Sequence, residues 1–230
     1  MLKNYAIILA SGTGSRYGSD IPKQFIKIAE KTILEHTIES FEKASQIDEI
    51  FVIITPEYRH VAENILSNNK FSKVTKLLNG GETRKDSSYI GINSIEDEEA
   101  NVLIHDCARP FVTQKIISDC IEALQTHCAI GVAIPTTDTI IEAENNIISS
   151  IPDRSKLMCI QTPQCFKLSL IKKAHELSKN DKNFTDDCGL VVKYNLAPIH
   201  IVNGDTENMK ITYPSDIFIA EKIFQIRNKS

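Results

Sequence analysis

The chain has 230 residues, 42% of them hydrophobic and 24% charged, which suits one large α/β domain with a real core. A net charge of −4 and a pI near 5.9 argue against a general nucleic-acid binder, which carries a basic stripe. No apolar run approaches the roughly 20 residues of a membrane span, Met1–Ala10 lacks the layout of a signal peptide, and Cys107, Cys120, Cys128, Cys159, Cys165 and Cys188 form no C-x-x-C pair. A cytoplasmic protein with reduced thiols is expected, with neither membrane nor nucleic acid as a partner.

The uncharged run Ala6-Ile7-Ile8-Leu9-Ala10 reads as a buried strand, and the segment Ser11-Gly12-Thr13-Gly14-Ser15-Arg16-Tyr17-Gly18 as a Gly-rich turn at its end. Glycines there let backbone N–H groups close on phosphate oxygens. Arg16 and Lys23, the latter in Pro22-Lys23-Gln24-Phe25, add two cations. Thr32-Ile33-Leu34-Glu35 has capping-box form and opens a helix. Glu49–Ile54 is a second strand, and Pro56 starts a helix to about Ser67. Val74–Leu78, Asn101–His105 and Ala129–Ile134 are further strands, with helices over Arg84–Ile95 and Thr113–Thr126. This alternation predicts a mostly parallel sheet with helices on both faces and ligands at the carboxyl ends of the strands. The Gly-rich loop, Gly80-Gly81 and Asp106 all fall at such ends.

Between about 136 and 161 the rhythm breaks. Thr139–Ala143, Glu144-Asn145-Asn146 and Ile147–Ser150 read as a β-hairpin, either an arm embracing a second subunit or a ribbon packed on its own domain. Helices over Lys167–Ser178 and Thr185–Tyr194, a strand over Pro198–Val202 and an amphipathic last helix over Ser215–Ile226 complete a single domain, 1–230.

The loop is not a Walker A, because no Gly-Lys-Ser/Thr follows, and its third glycine is one place out of register for a dinucleotide fingerprint. The second strand ends Ile53-Ile54-Thr55, with no acidic ribose partner, so an NAD-linked oxidoreductase is disfavoured. Asp106, after an all-apolar strand, suits Mg²⁺ beside a polyphosphate; the alternative is a cap or a pair with Arg109. Lys210, between Met209 and Ile211, is either a phosphate clamp or a lysine snorkelling to water. Arg154 beside Asp153 has a surface ion pair as its plain reading. His105 reads as a core residue, and no nucleophile stands out.

Seven segments in order carry a resemblance: Leu9-Ala10-x-Gly12-x-Gly14-x-Arg16 with Pro22-Lys23-Gln24-Phe25, His105-Asp106-x-Ala108-Arg109-Pro110, Pro135-x-x-Asp138-Thr139, Asp153-Arg154-Ser155, Gln161-Thr162-Pro163-Gln164-x-Phe166, Thr185-Asp186-Asp187 and Asn208-x-Lys210-Ile211-Thr212. Together the chain resembles the 2-C-methyl-D-erythritol 4-phosphate cytidylyltransferases of non-mevalonate isoprenoid synthesis, whose sister family uses ribitol 5-phosphate. The resemblance implies a Rossmann-like homodimer that joins CTP to a polyol phosphate and releases pyrophosphate. It implies that Leu9, Ala10, Ser11, Gly12, Thr13, Gly14 and Cys107 hold the nucleotide, with Gly81 and Ser87 near the cytosine, and that Asp106 binds Mg²⁺. Arg16 and Lys23 would stabilise the pentacoordinate transition state. Thr139, Arg154 and Thr162, on or near the arm, would contact the acceptor from the neighbouring subunit; Arg109, Thr185 and Lys210 would complete the site. Three departures stand out: Ser11 and Cys107 where the family usually has alanine, and Met158 where an aromatic residue is common. A regulator that binds CTP without turnover is the remaining alternative, disfavoured by the intact cations.

Overall fold

The computed structural model describes residues 2–12, 21–181 and 184–227. The first strand, β1 (Lys3–Ala10), is followed by a short hairpin, β2 (Lys27–Ile28) and β3 (Lys31–Thr32), and by α1 (Ile33–Glu42). Then come β4 (Glu49–Ile54), α2 (Arg59–Asn69), β5 (Val74–Asn79), α3 (Arg84–Asn93) and β6 (Ala100–Asp106). The second half runs α4 (Gln114–Ala123), β7 (Ala129–Pro135), β8 (Glu142–Glu144), β9 (Ile147–Ser150), β10 (Met158–Lys167) and α5 (Leu168–Leu177). It ends with α6 (Cys188–Lys193), β11 (His200–Asn203) and α7 (Ser215–Arg227).

Seven strands form one sheet in the order β11-β7-β10-β6-β1-β4-β5. All neighbours pair in parallel except β10, which runs antiparallel to both β6 and β7. The expected mostly parallel α/β sheet is therefore present. Because β1 is covered on both sides, its residues alternate between two cores. Ala6, Ile8 and Ala10 pack with α1, α2, α4 and α7, whereas Tyr5, Ile7 and Leu9 pack with α3, α5 and α6. That is why the strand reads as a continuous apolar run. Each fully buried Ile or Phe in these layers contributes about 1.5–3 kcal/mol.

The chain passes from β1 outward to β4 and β5, then crosses to β6 on the other side of β1. Strand order reverses there, and the crevice between the carboxyl ends of β1 and β6 is the natural ligand site. The capping box at Thr32 is formed as expected: Glu35 N–H donates to Thr32 Oγ1, and Glu35 accepts from Thr32 N–H at 2.6 Å. A second one, Thr83 with Asp86, starts α3 immediately after Gly80-Gly81.

Three expectations are corrected. The arm, expected over about 136–161, ends earlier: Met158–Lys167, which holds Gln161-Thr162-Pro163-Gln164, is a ten-residue strand of the main sheet, with a register shift between Ile160 and Gln164 that seats Pro163. The expected helix from Thr185 begins only at Cys188, because Asp186 and Asp187 bend ahead of it to bond elsewhere. The last helix is not cleanly amphipathic: Ala220 is buried and Ile217, Ile223 and Phe224 pack on the core, but Phe218 is 76% exposed and Ile219 52%.

The hairpin β8–β9 is a separate two-stranded sheet, turned by Asn145 and Asn146 at φ 51° and 62°. Of the two readings, packing on its own domain fails, since Ile147 is 71% and Ile148 57% exposed. Four of the six cysteines are buried and all six are free thiols.

Candidate active site

The crevice between β1 and β6 has a volume of about 500 Å³ and is lined by residues from five loops. From the end of β1 come Leu9, Ala10, Ser11 and Gly12; Gly81, Thr83 and Arg84 face them from the start of α3. Lys23, Asp106, Cys107, Thr185 and Lys210 complete the wall. Fifteen of the sequence-derived candidates lie within the described residues in or around this wall or on the arm; Thr13, Gly14 and Arg16 lie outside the described residues.

The loops are knit closely. Ser87 Oγ donates to Thr83 O at 3.0 Å and accepts from Gly81 N–H at 3.2 Å. With its proton spent, it also accepts from Ser11 Oγ at 2.7 Å. Ser11, a departure from the family's usual alanine, thus ties the β1 loop to α3. A Cβ on Gly80 would stand 2.4 Å from Ser11 Cβ, and one on Gly81 2.4 Å from Asp86 Cβ, so close approach demands both glycines. Lys23 Nζ donates to Ile211 O at 3.0 Å, and the neighbouring Gln24 Nε2 to Ala10 O at 2.8 Å. Cys107 is buried, which pushes its thiol up to about 12 and leaves it an unreactive small hydrophobe.

Asp106 is the charge centre. Its Oδ1 accepts Arg84 Nε at 3.0 Å and its Oδ2 accepts Lys210 Nζ at 2.6 Å. Burial opposes the carboxylate charge, but Arg84 and then Lys210 outweigh it and hold the carboxyl far below its ordinary range. Asp106 therefore pairs with Arg84 and Lys210 rather than with Arg109, and Lys210 does not simply reach for water. Arg84 itself is doubly held, its Nη1 lying 2.7 Å from Asp187 Oδ2. Burial lowers the Asp187 carboxyl's appetite for charge, yet Arg84 and His175 keep it down at about 2. The sequence reading missed both roles. Arg84 looked like one more first-turn helix residue, and the only signal was its place just past Gly80-Gly81 at a strand's carboxyl end.

Behind the wall, Thr162 and Arg109 fix the Asp106 backbone. The Asp106 N–H donates to Thr162 Oγ1 at 3.1 Å, and that hydroxyl lies 3.1 Å from His105 Nδ1. His105 Nε2 meets Arg109 O at 3.0 Å. A carbonyl only accepts, so Nε2 carries the imidazole proton, Nδ1 accepts from Thr162, and Thr162 accepts from Asp106. Arg109 Nη1 donates to Asn208 O at 2.8 Å. His105 is a core residue as expected, but fully buried rather than half-buried.

Burial pushes the His105 imidazole down to about 4. The unfolded chain takes up this proton near pH 6.5, so below that value it binds more protons than the folded one, and stability is lost as the pH is lowered. The loss attributable to His105 between pH 6.5 and pH 4 is expected to reach about 3 kcal/mol. Urea denaturation at several pH values should show a shallower fall for His105→Asn than for the unaltered chain; parallel slopes would remove the assignment.

Arg154 and Thr139 are not brought to this crevice within one chain. Both are exposed on the arm, and Arg154 Nη1 donates to Thr137 O at 3.1 Å. Asp153 caps Ser155 instead of pairing with Arg154.

A switch-point crevice with a tightly knit Gly-bordered loop on one side, and one buried carboxylate between cations on the other, is the arrangement of a nucleotide-handling transferase. The comparisons narrow this class. The chain belongs to the 2-C-methyl-D-erythritol 4-phosphate cytidylyltransferase family, whose model matches residues 5–226. It is 36% identical to the 2-C-methyl-D-erythritol 4-phosphate cytidylyltransferase of Thermobifida fusca, covering 96% of this chain and 92% of that one. It is 43% identical to the bifunctional ribulose 5-phosphate reductase/CDP-ribitol pyrophosphorylase of Haemophilus influenzae, with 98% of this chain aligned but only about half, 49%, of that protein's length. Among solved structures, 4-diphosphocytidyl-2C-methyl-D-erythritol synthase from Anaerococcus prevotii superposes with a TM-score of 0.85 at 26% identity, covering 97% of this chain and 96% of that one. The Rossmann-like fold is thereby established. No described helix is long and apolar enough to cross a membrane.

Proposed function

We propose that this enzyme transfers the cytidylyl group of CTP to the phosphate of 2-C-methyl-D-erythritol 4-phosphate, giving 4-diphosphocytidyl-2-C-methyl-D-erythritol and pyrophosphate for isoprenoid precursor synthesis. An oxygen of the acceptor phosphate forms a bond to the α-phosphorus of CTP, and the bond from that phosphorus to the bridging oxygen breaks as pyrophosphate leaves. The acceptor is already anionic, so no general base is needed; the chemistry requires that mutual repulsion be neutralised and the two phosphates aligned. The observation that carries this reading is the cation set around Asp106: Lys210 and Arg84 on the carboxylate, with Lys23 and Thr185 on the same crevice wall.

In this reading the loop from Leu9 through Gly14, with Cys107, holds the nucleotide, and the Gly81–Ser87 turn receives the cytosine. Lys23 and Arg16 stabilise charge on the reacting phosphates. Thr185 and Lys210, on the wall, position the acceptor, while Thr162 and Arg109 act from behind it by holding Asp106 and its loop in place. The donor set suits Mg²⁺ carried in by a triphosphate rather than a resident metal. Among the described residues no three His, Cys, Asp or Glu side chains gather into a metal cage, whereas Mg²⁺ at phosphate sites takes one or two carboxylates plus phosphate oxygens and water. Asp106 retains lone pairs beyond the two that Arg84 and Lys210 use. When bound, the ion would supply Lewis-acid polarisation of the phosphates.

The protruding β8–β9 arm, with Ile147 and Ile148 bare, supports a homodimer in which Thr139 and Arg154 reach the neighbouring crevice. A second reading of the acceptor, ribitol 5-phosphate for cell-surface polymers, is favoured by the 43% identity to the Haemophilus influenzae protein. Pyrophosphate release with each acceptor separates them. The methylerythritol phosphate is expected to give the higher kcat/KM by at least about tenfold, since a site shaped for one acceptor discriminates by 1–3 kcal/mol per misplaced group. A preference for ribitol phosphate would transfer the assignment.

A further inference from the structure

The two cations on Asp106 are attached to the protein in very different ways. Lys210 comes from a loop, its side chain is 35% exposed, and among the described residues its ammonium makes one bond, 2.6 Å to Asp106 Oδ2. Arg84 lies in the first turn of α3 and spans two carboxylates, Asp106 at 3.0 Å and Asp187 at 2.7 Å. Asp187 is 1% exposed and firmly set. Its Oδ1 accepts Ser88 Oγ at 2.6 Å, and its N–H donates to Gln164 Oε1 at 2.9 Å. His175 Nε2 lies 3.4 Å from the same Oδ1. Gln164 also donates to Asp186 Oδ2 at 3.0 Å, so both acidic residues of Thr185-Asp186-Asp187 are tied to β10.

Moving Arg84 would strand a buried carboxylate without its cation, which is far costlier than letting a half-exposed lysine swing into water. A planar guanidinium held at both ends fixes the orientation of what it grips; a flexible ammonium does not. We propose that the two cations play opposite parts when the metal–nucleotide complex arrives. Arg84, anchored on Asp187, is a positioning residue that keeps the Asp106 carboxylate in place. Lys210 is the exchangeable partner: it competes for Asp106 Oδ2, yields it to the incoming cation, and is thereby released towards the substrate phosphates. The free site stays neutral and ordered, and the lysine becomes available only once nucleotide is in place. This inference rests on the Mg²⁺–CTP reading above.

Calorimetric titration of Mg²⁺ into enzyme plus CTP, without acceptor and therefore without turnover, separates the two parts. Lys210→Ala is expected to bind Mg²⁺·CTP as tightly as the unaltered enzyme or more tightly, although its turnover falls. Arg84→Lys keeps the charge but loses the fixed fork, and is expected to weaken that binding by about 10- to 100-fold, the usual effect of disturbing a ligand's orienting partner. Asp187→Asn should reproduce the Arg84→Lys loss, and the double variant should be no weaker than the worse single one, because the two act as a unit. Similar losses in Lys210→Ala and Arg84→Lys would overturn the division of roles, and additive losses in the double variant would overturn the pair. If Asp187→Asn does not fold, the contrast between Arg84→Lys and Lys210→Ala decides alone. Absence of Mg²⁺-dependent CTP binding by the unaltered enzyme would instead overturn the functional reading, and this proposal with it.

Discussion

Replacing Lys23 by alanine is expected to lower the turnover of pyrophosphate release by about 10²–10³, the usual cost of removing one group that stabilises transition-state charge. The fold should barely notice. Lys23 stands in a single short turn, Lys23–Phe25, and the turn keeps its other anchors when the ammonium is gone. Gln24, buried, still donates to Ala10 O at 2.8 Å, and Phe25 still packs on Tyr58 with ring centroids 5.6 Å apart. What disappears is a cation on the crevice wall and its bond to Ile211 O. The denaturation midpoint of Lys23→Ala should therefore stay close to that of the unaltered chain while kcat collapses. Lys23→Arg should recover part of the rate, because charge is retained while the shape changes. Turnover near the original level in Lys23→Ala would remove the residue from the chemistry.

The asymmetry between those effects reflects which parts of the molecule can be read in sequence. The sheet was legible because its strands are buried on both faces: Ala6–Ala10, Ile50–Ile54 and Val102–Ile104 are apolar runs that allow little else, and the helices between them fix parallel pairing. The crevice followed from topology, since loops at the carboxyl ends of such strands must converge. β10 was not legible. It mixes Gln161, Thr162 and Gln164 with apolar residues and has Pro163 at its middle, so neither alternation nor composition marks it. Its polar side chains are buried in service of other loops: Gln161 bonds Asp205 and Asn208, Thr162 bonds Asp106, and Gln164 bonds Asp186 and Asp187. The same reason hid Arg84. Its chemistry depends on Asp187, 103 positions away, and separation on that scale leaves no local pattern. The last helix misled in the opposite direction, because its apolar residues face outward as well as inward.

Mixing two impaired variants provides the sharpest test of the proposed dimer and its arm. Arg154 is exposed in the short turn Arg154–Lys156 that follows the β8–β9 ribbon, and it is not among the residues that wall the crevice of the same chain. Lys23 is. If the arm completes the partner's site, Arg154→Ala impairs the neighbouring crevice and Lys23→Ala its own. Arg154→Ala alone should raise the acceptor KM and leave CTP binding nearly intact, a loss of about 10² in kcat/KM if one charge-assisted contact to the acceptor phosphate goes. In a dimer formed from one subunit of each variant, the crevice of the Lys23→Ala subunit is doubly damaged. The other crevice has its own Lys23 and receives an intact Arg154 from its partner, so it is whole. Random reassortment makes half of the dimers mixed, each with one good site of two, so activity should rise from near zero to about a quarter of the unaltered level. Unfolding and refolding the variants separately, then together, with pyrophosphate release measured at low acceptor concentration, gives the comparison directly. A mixture no more active than the two variants apart would mean that Arg154 serves its own subunit or no site at all, and the arm would lose its place in acceptor binding.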